Sequence, residues 1–181
     1  MLFINAGAVL SLLATLAPVV LGSVVPEPDG LYKIANVATG KVMDHYRKHP
    51  VVGDPVVADT ASIKETQNWK IKYVLLGESA SYITISGNGT GDEIHVGASE
   101  GDGLVTTRKP TVFQLTKVPH VDEPLYWIGL GGDPTLAVTG YDDRSQLTLE
   151  KLNATNVLQA WAFYIPVVPT RTADGTKAER A

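Results

Sequence analysis

The chain repeats one pattern of aromatic residues three times at nearly constant spacing. Each copy opens with an extended segment led by a tyrosine, and the openers Tyr32, Tyr82 and Tyr126 lie 50 and 44 residues apart. Each copy closes on a segment centred on a large aromatic residue. These closing aromatics are Trp69, Phe113 and Trp161, at intervals of 44 and 48 residues. A repeat of this length indicates one supersecondary unit that is used three times.

Each repeat divides into four short runs that are rich in β-branched residues and bounded by Gly, Pro, Asn or Asp, a pattern typical of strands. The predicted strands are 32–37, 41–46, 55–59 and 68–74 in repeat one (about 30–75), 82–86, 93–98, 104–108 and 111–118 in repeat two (about 80–119), and 125–130, 135–139, 146–151 and 160–167 in repeat three (about 124–168). Helical periodicity is nearly absent, and its best candidate, 152–159, is too short to change the class. The sequence therefore predicts one all-β domain over residues 29–168.

Composition narrows the range of partners. The chain has 181 residues, 44% of them hydrophobic, which is enough to bury a core without a metal or a disulfide. It has no cysteine, and its formal net charge is -4 with no cluster of basic residues, so we expect no nucleic-acid partner. We also expect no cofactor and no metal, because a closed metal site needs more ligands than the His45 and His49 pair offers.

The first 22 residues carry no charged side chain and are predicted to form a signal peptide that is cleaved between Gly22 and Ser23. An uncleaved membrane anchor is the alternative, because Gly7 to Val25 is a run of 19 uncharged residues and about 20 would span a bilayer. Pro18 and the small residues after it favour cleavage. We therefore expect a secreted, extracellular protein with no stable membrane association after cleavage.

Two further surface features follow from sequence patterns. Asn88-Gly89-Thr90 and Asn153-Ala154-Thr155 are N-glycosylation sequons in predicted turns, so Asn88 and Asn153 are candidate glycan acceptors on a secretory route. Residues 169–181 are polar and charged without apolar periodicity, and are predicted to be a disordered tail.

The segments Gln67-Asn68-Trp69 and Gln159-Ala160-Trp161 match the Gln-x-Trp signature that closes each repeat of the ricin-B-type lectins, which are β-trefoils. The opening segment 30–44 is also similar to the start of such a domain. The chain thus resembles this family, which is related to carbohydrate-binding module family 13, and in particular a secreted fungal member. The resemblance implies a six-stranded barrel with a cap of three hairpins. It places the six repeated aromatic residues mainly in the core.

Sugar binding in that family uses an Asp near the end of the second strand, an aromatic platform after the third, and an Asn just before the Gln of Gln-x-Trp. Repeat one keeps Asp44, but Thr66 stands where the Asn is expected and no aromatic follows Asp59. In the other repeats, His95 and Ala137 stand at the expected Asp positions, repeat two lacks the Gln, and Leu158 precedes Gln159. The resemblance therefore implies degenerate sugar sites.

Two polar, aromatic stretches are candidate carbohydrate sites. A sugar's apolar face stacks on an aromatic ring while carboxylates and amides take its hydroxyls. The candidate binding residues are Asp44, Tyr46 and Gln67 in repeat one, and Tyr141, Asp142 and Gln159 in repeat three. The alternatives are ordinary solvated loops, with both glutamines holding backbone. Convergence of each set on one concave patch would support a site.

Other functions remain open at this point. A protease inhibitor similar to the mycocypins would present an exposed loop to a protease partner, with 47–50 or 108–110 as the candidate loops. A binding module separated from its enzyme, or a structural protein without a ligand, is a third possibility. Catalysis is not expected, because the Gly-x-Ser-x-Gly match at 97–101 is followed by Gly101-Asp102-Gly103, which does not begin the helix that a nucleophile elbow requires.

Overall fold

The computed structural model describes residues 22–77, 80–88, 94–98, 103–141 and 144–166. Residues 1–21 of the predicted leader, the predicted tail 169–181 and Asp142 lie outside the described residues. Within the described ranges the chain forms twelve strands, joined in part by short 3-10 turns at Glu65–Gln67 and Val157–Gln159. The strands are β1 (Leu31–Asn36), β2 (Val42–His45), β3 (Val56–Asp59), β4 (Trp69–Leu75), β5 (Ala80–Gly87), β6 (His95–Ala98), β7 (Leu104–Thr107), β8 (Phe113–Lys117), β9 (Leu125–Leu130), β10 (Asp133–Thr139), β11 (Thr148–Lys151) and β12 (Trp161–Tyr164).

Six of the strands close into a barrel. The first and fourth strands of each repeat pair in the antiparallel ring β1-β4-β5-β8-β9-β12, and β12 pairs back to β1. Closure leaves no exposed edge in this ring. The second and third strands of each repeat form the outer hairpins β2-β3, β6-β7 and β10-β11. Three four-stranded units arranged in this way form a β-trefoil, which confirms the predicted fold class.

The repeated aromatic residues fill equivalent positions in the core. The closing residues Trp69, Phe113 and Trp161 begin β4, β8 and β12, and all three are fully buried. The Trp69 indole donates to the Met43 carbonyl at 2.8 Å, and the Trp161 indole donates to the Val138 carbonyl at 2.9 Å. Each bond ties the fourth strand of a repeat to its second strand. Burial and these two bonds explain why large aromatics recur there.

The opening tyrosines are less uniform than the sequence suggested. Tyr32 and Tyr126 are buried and pack edge-on against Phe163, with ring centroids 5.9 and 5.6 Å away. Tyr82 is half-buried instead. It pairs with Leu75 at the point where the β4-β5 register shifts after Tyr73. An irregularity of this kind re-aims side chains, which accounts for the weaker burial of Tyr82.

Candidate functional site

A cleft of about 630 Å³ opens beside the outer hairpin of repeat one, and we call it the repeat-one cleft. It is lined by residues 44–50 and 63–66, together with Asn88 and Arg144. The first range is the end of β2 and the loop after it, and the second leads into β4. Asn88 follows β5, and Arg144 precedes β11. The cleft therefore combines residues from all three repeats.

The carboxylate of Asp44 lies at the floor of this cleft and is held from behind by Gln67. The Gln67 amide donates to Asp44 Oδ2 at 2.9 Å and to the Thr60 carbonyl at 2.9 Å, and its oxygen accepts from the Ser62 backbone at 2.7 Å. Gln67 is fully buried and Asp44 is only 2% exposed. Asp44 Oδ1 has no hydrogen-bond partner in the described part of the chain. Gln67 therefore positions the carboxylate, and Oδ1 is its buried oxygen that has no partner among the described residues.

Tyr46 lies on the rim of the same cleft, with half of its surface exposed. The Arg47 guanidinium is 5.9 Å from the centroid of the Tyr46 ring. An exposed ring near a buried carboxylate is the combination that a sugar needs, because the ring can take the apolar face of a sugar whose hydroxyl bonds the acid. Asp44 and Tyr46 thus converge on one concave surface, with Gln67 behind it.

Ion pairs moderate the charge of the rim. Arg47 lies 3.6 Å from Asp54, and Asp59 lies 3.4 Å from Arg144 and 3.9 Å from Lys64. These pairs join exposed cationic side chains to the largely buried carboxylates of Asp54 and Asp59. Their effect is to offset the three cations with two nearby carboxylates. The cleft is consequently not strongly basic.

His45 lies next to Asp44 in the wall of the cleft and is 4% exposed. Its ring packs on the Trp69 indole, with ring centroids 4.3 Å apart and an interplanar angle of 33°. Burial lowers the pKa of His45 from 6.5 to about 4, against an opposing effect of the Asp54 carboxylate. His45 is therefore a neutral imidazole at physiological pH. The sequence showed His45 only as one of a pair with His49 and gave no sign that its ring is buried.

The strand register shows which residues of the other repeats correspond to Asp44. The inner strands pair Ala35 with Val42, Ser86 with His95, and Gly129 with Ala137. Two residues after Val42, His95 and Ala137 the second strands carry Asp44, Gly97 and Thr139. These three residues are therefore equivalent. The two indole hydrogen bonds support this equivalence. Their acceptors, Met43 and Val138, directly precede Asp44 and Thr139. His95 and Ala137 are thus two residues away from the position to which sequence spacing assigned them.

In repeat three the residue equivalent to Asp44 is Thr139, which takes part in the buried hydrogen bonds that hold the fold. The Gln159 amide donates to Thr139 Oγ1 at 3.1 Å, and both residues are fully buried. Tyr141 occupies the position equivalent to Tyr46, but its hydroxyl donates to Glu150 at 2.7 Å. That hydrogen bond is the main cause that raises the pKa of Tyr141. Asp142 lies outside the described residues.

We expect the replacement of Gln159 with leucine to lower the free energy of unfolding by about 2 kcal/mol, because buried polar groups are left without partners. The Gln159 amide also donates to the Lys151 carbonyl at 3.1 Å, and its oxygen accepts from the Asn153 backbone at 2.8 Å. Denaturant unfolding measures the change. Gln114→Leu is the matched control, since this half-buried residue donates only a long 3.4 Å bond to Thr116. Equal effects of the two substitutions would contradict a scaffold role for Gln159.

A second cleft of about 640 Å³ lies on the other side of the loop after β2, and we call it the valine cleft. Its lining includes Pro50, Val51 and Val52 from that loop, and Arg108 and Lys109 from the end of β7. Of the two candidate protease-binding loops, 47–50 contributes only Pro50 to this cleft, whereas 108–110 contributes Arg108 and Lys109. The loop is fastened to β7, because the Gly53 amide donates to the Thr106 carbonyl at 2.8 Å and Thr106 Oγ1 donates to the Asp54 carbonyl at 3.2 Å.

The two predicted glycan acceptors, Asn88 and Asn153, are both on the surface. Asn153 is exposed, and its side-chain oxygen accepts from the Thr155 amide at 3.1 Å and from the Thr155 hydroxyl at 2.8 Å. Asn88 is exposed on the rim of the repeat-one cleft, while Gly89 and Thr90 are outside the described residues.

Among the residues that the structure describes, no group of three His, Asp or Glu side chains could hold a metal ion. No helix within those residues has the length and apolar character needed to cross a membrane.

Neither protein-family models nor curated proteins match this chain, but solved structures do. The agglutinin of Rhizoctonia solani superposes with a TM-score of 0.62 at 17% identity, covering 79% of this chain and 99% of that one. The ricin B-like lectin of Macrolepiota procera, solved in complex with lactose, gives 0.62 at 18% identity over 79% and 100% of the two chains. The designed threefold-symmetric protein ThreeFoil gives 0.60 at 19% over 75% and 99%. At these identities the similarity establishes the fold, which is that of the ricin B-like lectins.

Proposed function

We propose that this chain is a secreted, non-enzymatic carbohydrate-binding protein whose glycan site is the repeat-one cleft. The observation that carries the proposal is the Asp44 carboxylate, beside the exposed ring of Tyr46. Gln67 holds one of its oxygens, and the other has no partner among the described residues. A buried acceptor without a partner costs about 1–3 kcal/mol, and a ligand hydroxyl would recover part of that free energy.

The proposed partners are glycans or glycoproteins. The Macrolepiota procera lectin, which shares this fold, was solved with lactose, and this supports a sugar as the ligand class. Repeats two and three offer Gly97 and Thr139 at the position of Asp44, so we propose one working site and two degenerate ones. The protease-inhibitor alternative is not favoured, because the two natural structures compared above are lectins.

Secretion is supported by the uncharged leader over residues 1–22 and by the sequons at Asn88 and Asn153. Both acceptor side chains are exposed, as glycosylation requires. We accordingly propose an extracellular protein that keeps no membrane association once the leader is cleaved. Expression of the full chain in a eukaryotic host, with mass spectrometry of the medium, tests both cleavage after Gly22 and occupancy of the two asparagines.

Asp44→Asn is expected to lower glycan affinity at least tenfold, which corresponds to about 1.4 kcal/mol. Asparagine keeps an oxygen to accept from Gln67 but places an amide where the acceptor oxygen was, so a donating hydroxyl finds no partner. The mature protein would first be screened on a glycan array. The bound glycan would then be titrated calorimetrically against the wild type and the variant.

Tyr46→Ala and Tyr141→Ala form the matched pair for this test, because the two tyrosines occupy equivalent positions in repeats one and three. The first is expected to weaken binding, and the second to leave the affinity unchanged. A uniformly blank array would remove the lectin function. Loss of binding in Tyr141→Ala with full binding in Asp44→Asn would instead place the site in repeat three.

A further inference from the structure

We propose that an N-linked glycan on Asn88 covers the repeat-one cleft, so that glycosylation of this one residue controls whether the cleft accepts glycans from outside the molecule. The inference rests on the proposed carbohydrate function and on the proposed secretory route. It adds a means by which that same site is regulated.

The first support is the position of Asn88. It is the acceptor of the sequon Asn88-Gly89-Thr90, its side chain is exposed, and it lines the repeat-one cleft. An N-linked glycan is a bulky group that is attached to the asparagine side chain. The first sugar of a glycan on Asn88 would therefore begin at the rim of the cleft.

The second support is that the backbone holds this attachment point in place. The Asn88 amide donates to the Asn68 carbonyl at 3.2 Å, and the Gly87 amide before it donates to the Ile94 carbonyl at 2.7 Å. Gly87 also pairs with Trp69 in the β4-β5 ladder. A glycan on Asn88 therefore starts from a fixed point, and its first sugars stay close to the cleft.

The third support is the apolar surface that the rim leaves exposed. Tyr46 and Ile63 both line the cleft, with 50% and 80% of their surfaces exposed. Ile63 is the most exposed large apolar side chain among the residues that the structure describes. Sugar rings have apolar faces that can pack on such side chains, and removal of apolar surface from water is favourable. These contacts favour a glycan that lies over the cleft rather than one that points into solvent.

Tethering makes even a weak contact of this kind effective. A short flexible tether presents the attached group at a millimolar effective concentration, taken here as about 10 mM. If the cleft binds the attached sugars with a Kd of about 1 mM, about nine-tenths of the molecules are closed by their own glycan. Only the open fraction binds an external glycan, so the apparent affinity for that glycan falls about tenfold.

The second sequon provides a matched control. Asn153 is exposed as Asn88 is, but it follows β11 in repeat three and is not among the residues that line the repeat-one cleft. Its backbone amide donates to the buried Gln159 side chain, so its attachment point is also fixed. A glycan on Asn153 thus starts outside the cleft that a glycan on Asn88 would cover.

The test compares the wild type with Thr90→Ala and Thr155→Ala, all secreted from a eukaryotic host. Each substitution removes one sequon and keeps both asparagines, and glycopeptide mass spectrometry measures the occupancy of each site. The probes are lactose and the array glycan that the bacterially produced mature protein binds, titrated calorimetrically. Thr90→Ala is expected to bind about tenfold more tightly than the wild type. Thr155→Ala is expected to match the wild type.

The same three proteins produced in bacteria carry no N-linked glycan. They are expected to bind with equal affinity, because the substitutions then leave the cleft as it was. A tenfold gain for Thr90→Ala in this form as well would assign the effect to the substituted side chain and would overturn the role of the glycan.

A second readout needs no external ligand. Hydroxyl-radical footprinting with peptide mass spectrometry measures the solvent access of Tyr46 and of its counterpart Tyr141, both of which are exposed. In the glycosylated wild type, oxidation of Tyr46 is expected to be severalfold slower than in glycosylated Thr90→Ala. Oxidation of Tyr141 is expected to be the same in both proteins.

The outcomes separate this inference from the function on which it rests. Equal affinities of the glycosylated wild type and Thr90→Ala, or equal oxidation of Tyr46 in both, would overturn the covering role of the glycan and leave the lectin function intact. An Asn88 without glycan in the secreted protein would also overturn it. If no form binds any glycan, the proposed function fails, and the Tyr46 footprint alone decides whether the Asn88 glycan covers the cleft.

Discussion

Trp161→Ala is expected to lower the free energy of unfolding by about 3–5 kcal/mol, the range found for large aromatic residues removed from cores. The side chain is fully buried at the start of β12, and its indole bonds the Val138 carbonyl on β10. The substitution would leave both a cavity and a buried carbonyl without a partner. Domains of this size are stable by about 5–15 kcal/mol, so a large share of the total would be lost.

Trp161→Phe provides the control, because Phe113 fills the equivalent position in repeat two. Most of the volume is retained while the indole donor is removed, so the expected cost is smaller, about 2 kcal/mol. Urea unfolding followed by far-UV circular dichroism measures both variants. Equal losses in the two variants would show that packing at this position contributes nothing beyond the hydrogen bond. A loss below about 1 kcal/mol in Trp161→Ala would contradict a shared aromatic core.

Acid is expected to destabilise the protein through His45. The folded-state pKa is lowered to about 4, whereas the unfolded chain has the ordinary value of 6.5. Between these values the unfolded state binds a proton that the folded state excludes. The stabilisation is therefore fully present above pH 6.5 and is lost as the pH falls towards 4. A difference of about 2.5 pKa units corresponds to about 3 kcal/mol.

His45→Phe isolates this contribution, because phenylalanine does not titrate and the other acidic groups are unchanged. Urea unfolding at pH 7 and at pH 4.5 is the measurement. The wild type is expected to lose about 2–3 kcal/mol more than the variant between these two conditions. Parallel losses in both proteins would mean that His45 titrates near its ordinary value in the folded state. That result would contradict the burial of its ring.

The sequence predicted the fold because its strongest signals belong to the core. Trp69, Phe113 and Trp161 recur where the barrel requires large buried residues, and β9 begins and ends at the predicted residues, 125 and 130. The predictions of strand ends that lead into loops were less accurate. The predicted strand 160–167 extends past β12, which ends at Tyr164. Apolar residues continue beyond the last ladder pair there, and composition does not register where pairing stops.

The candidate site was predictable only where it lies within one repeat. Asp44, Tyr46 and Gln67 are near one another in sequence, and two of them line the cleft while Gln67 stands behind Asp44. Asn88 and Arg144 reach the same cleft from other repeats, and spacing along a chain carries no information on such contacts. The repeats also differ in length between strands, which displaced the expected Asp positions of repeats two and three by two residues. Only the hydrogen-bond register of the strands identifies Gly97 and Thr139 as the counterparts of Asp44.

The central claim, one glycan site in repeat one of a β-trefoil, is tested most directly by heteronuclear NMR of the ¹⁵N-labelled mature protein during titration with lactose and the glycan found on the array. Shift changes are expected to cluster at residues 44–50, 63–67 and Asn88 and to saturate at one ligand per chain. The amides of Thr139, Tyr141 and Gln159 should not move. Shifts centred on those three residues, or no shifts at concentrations that saturate weak lectins, would contradict the claim of a glycan site in repeat one.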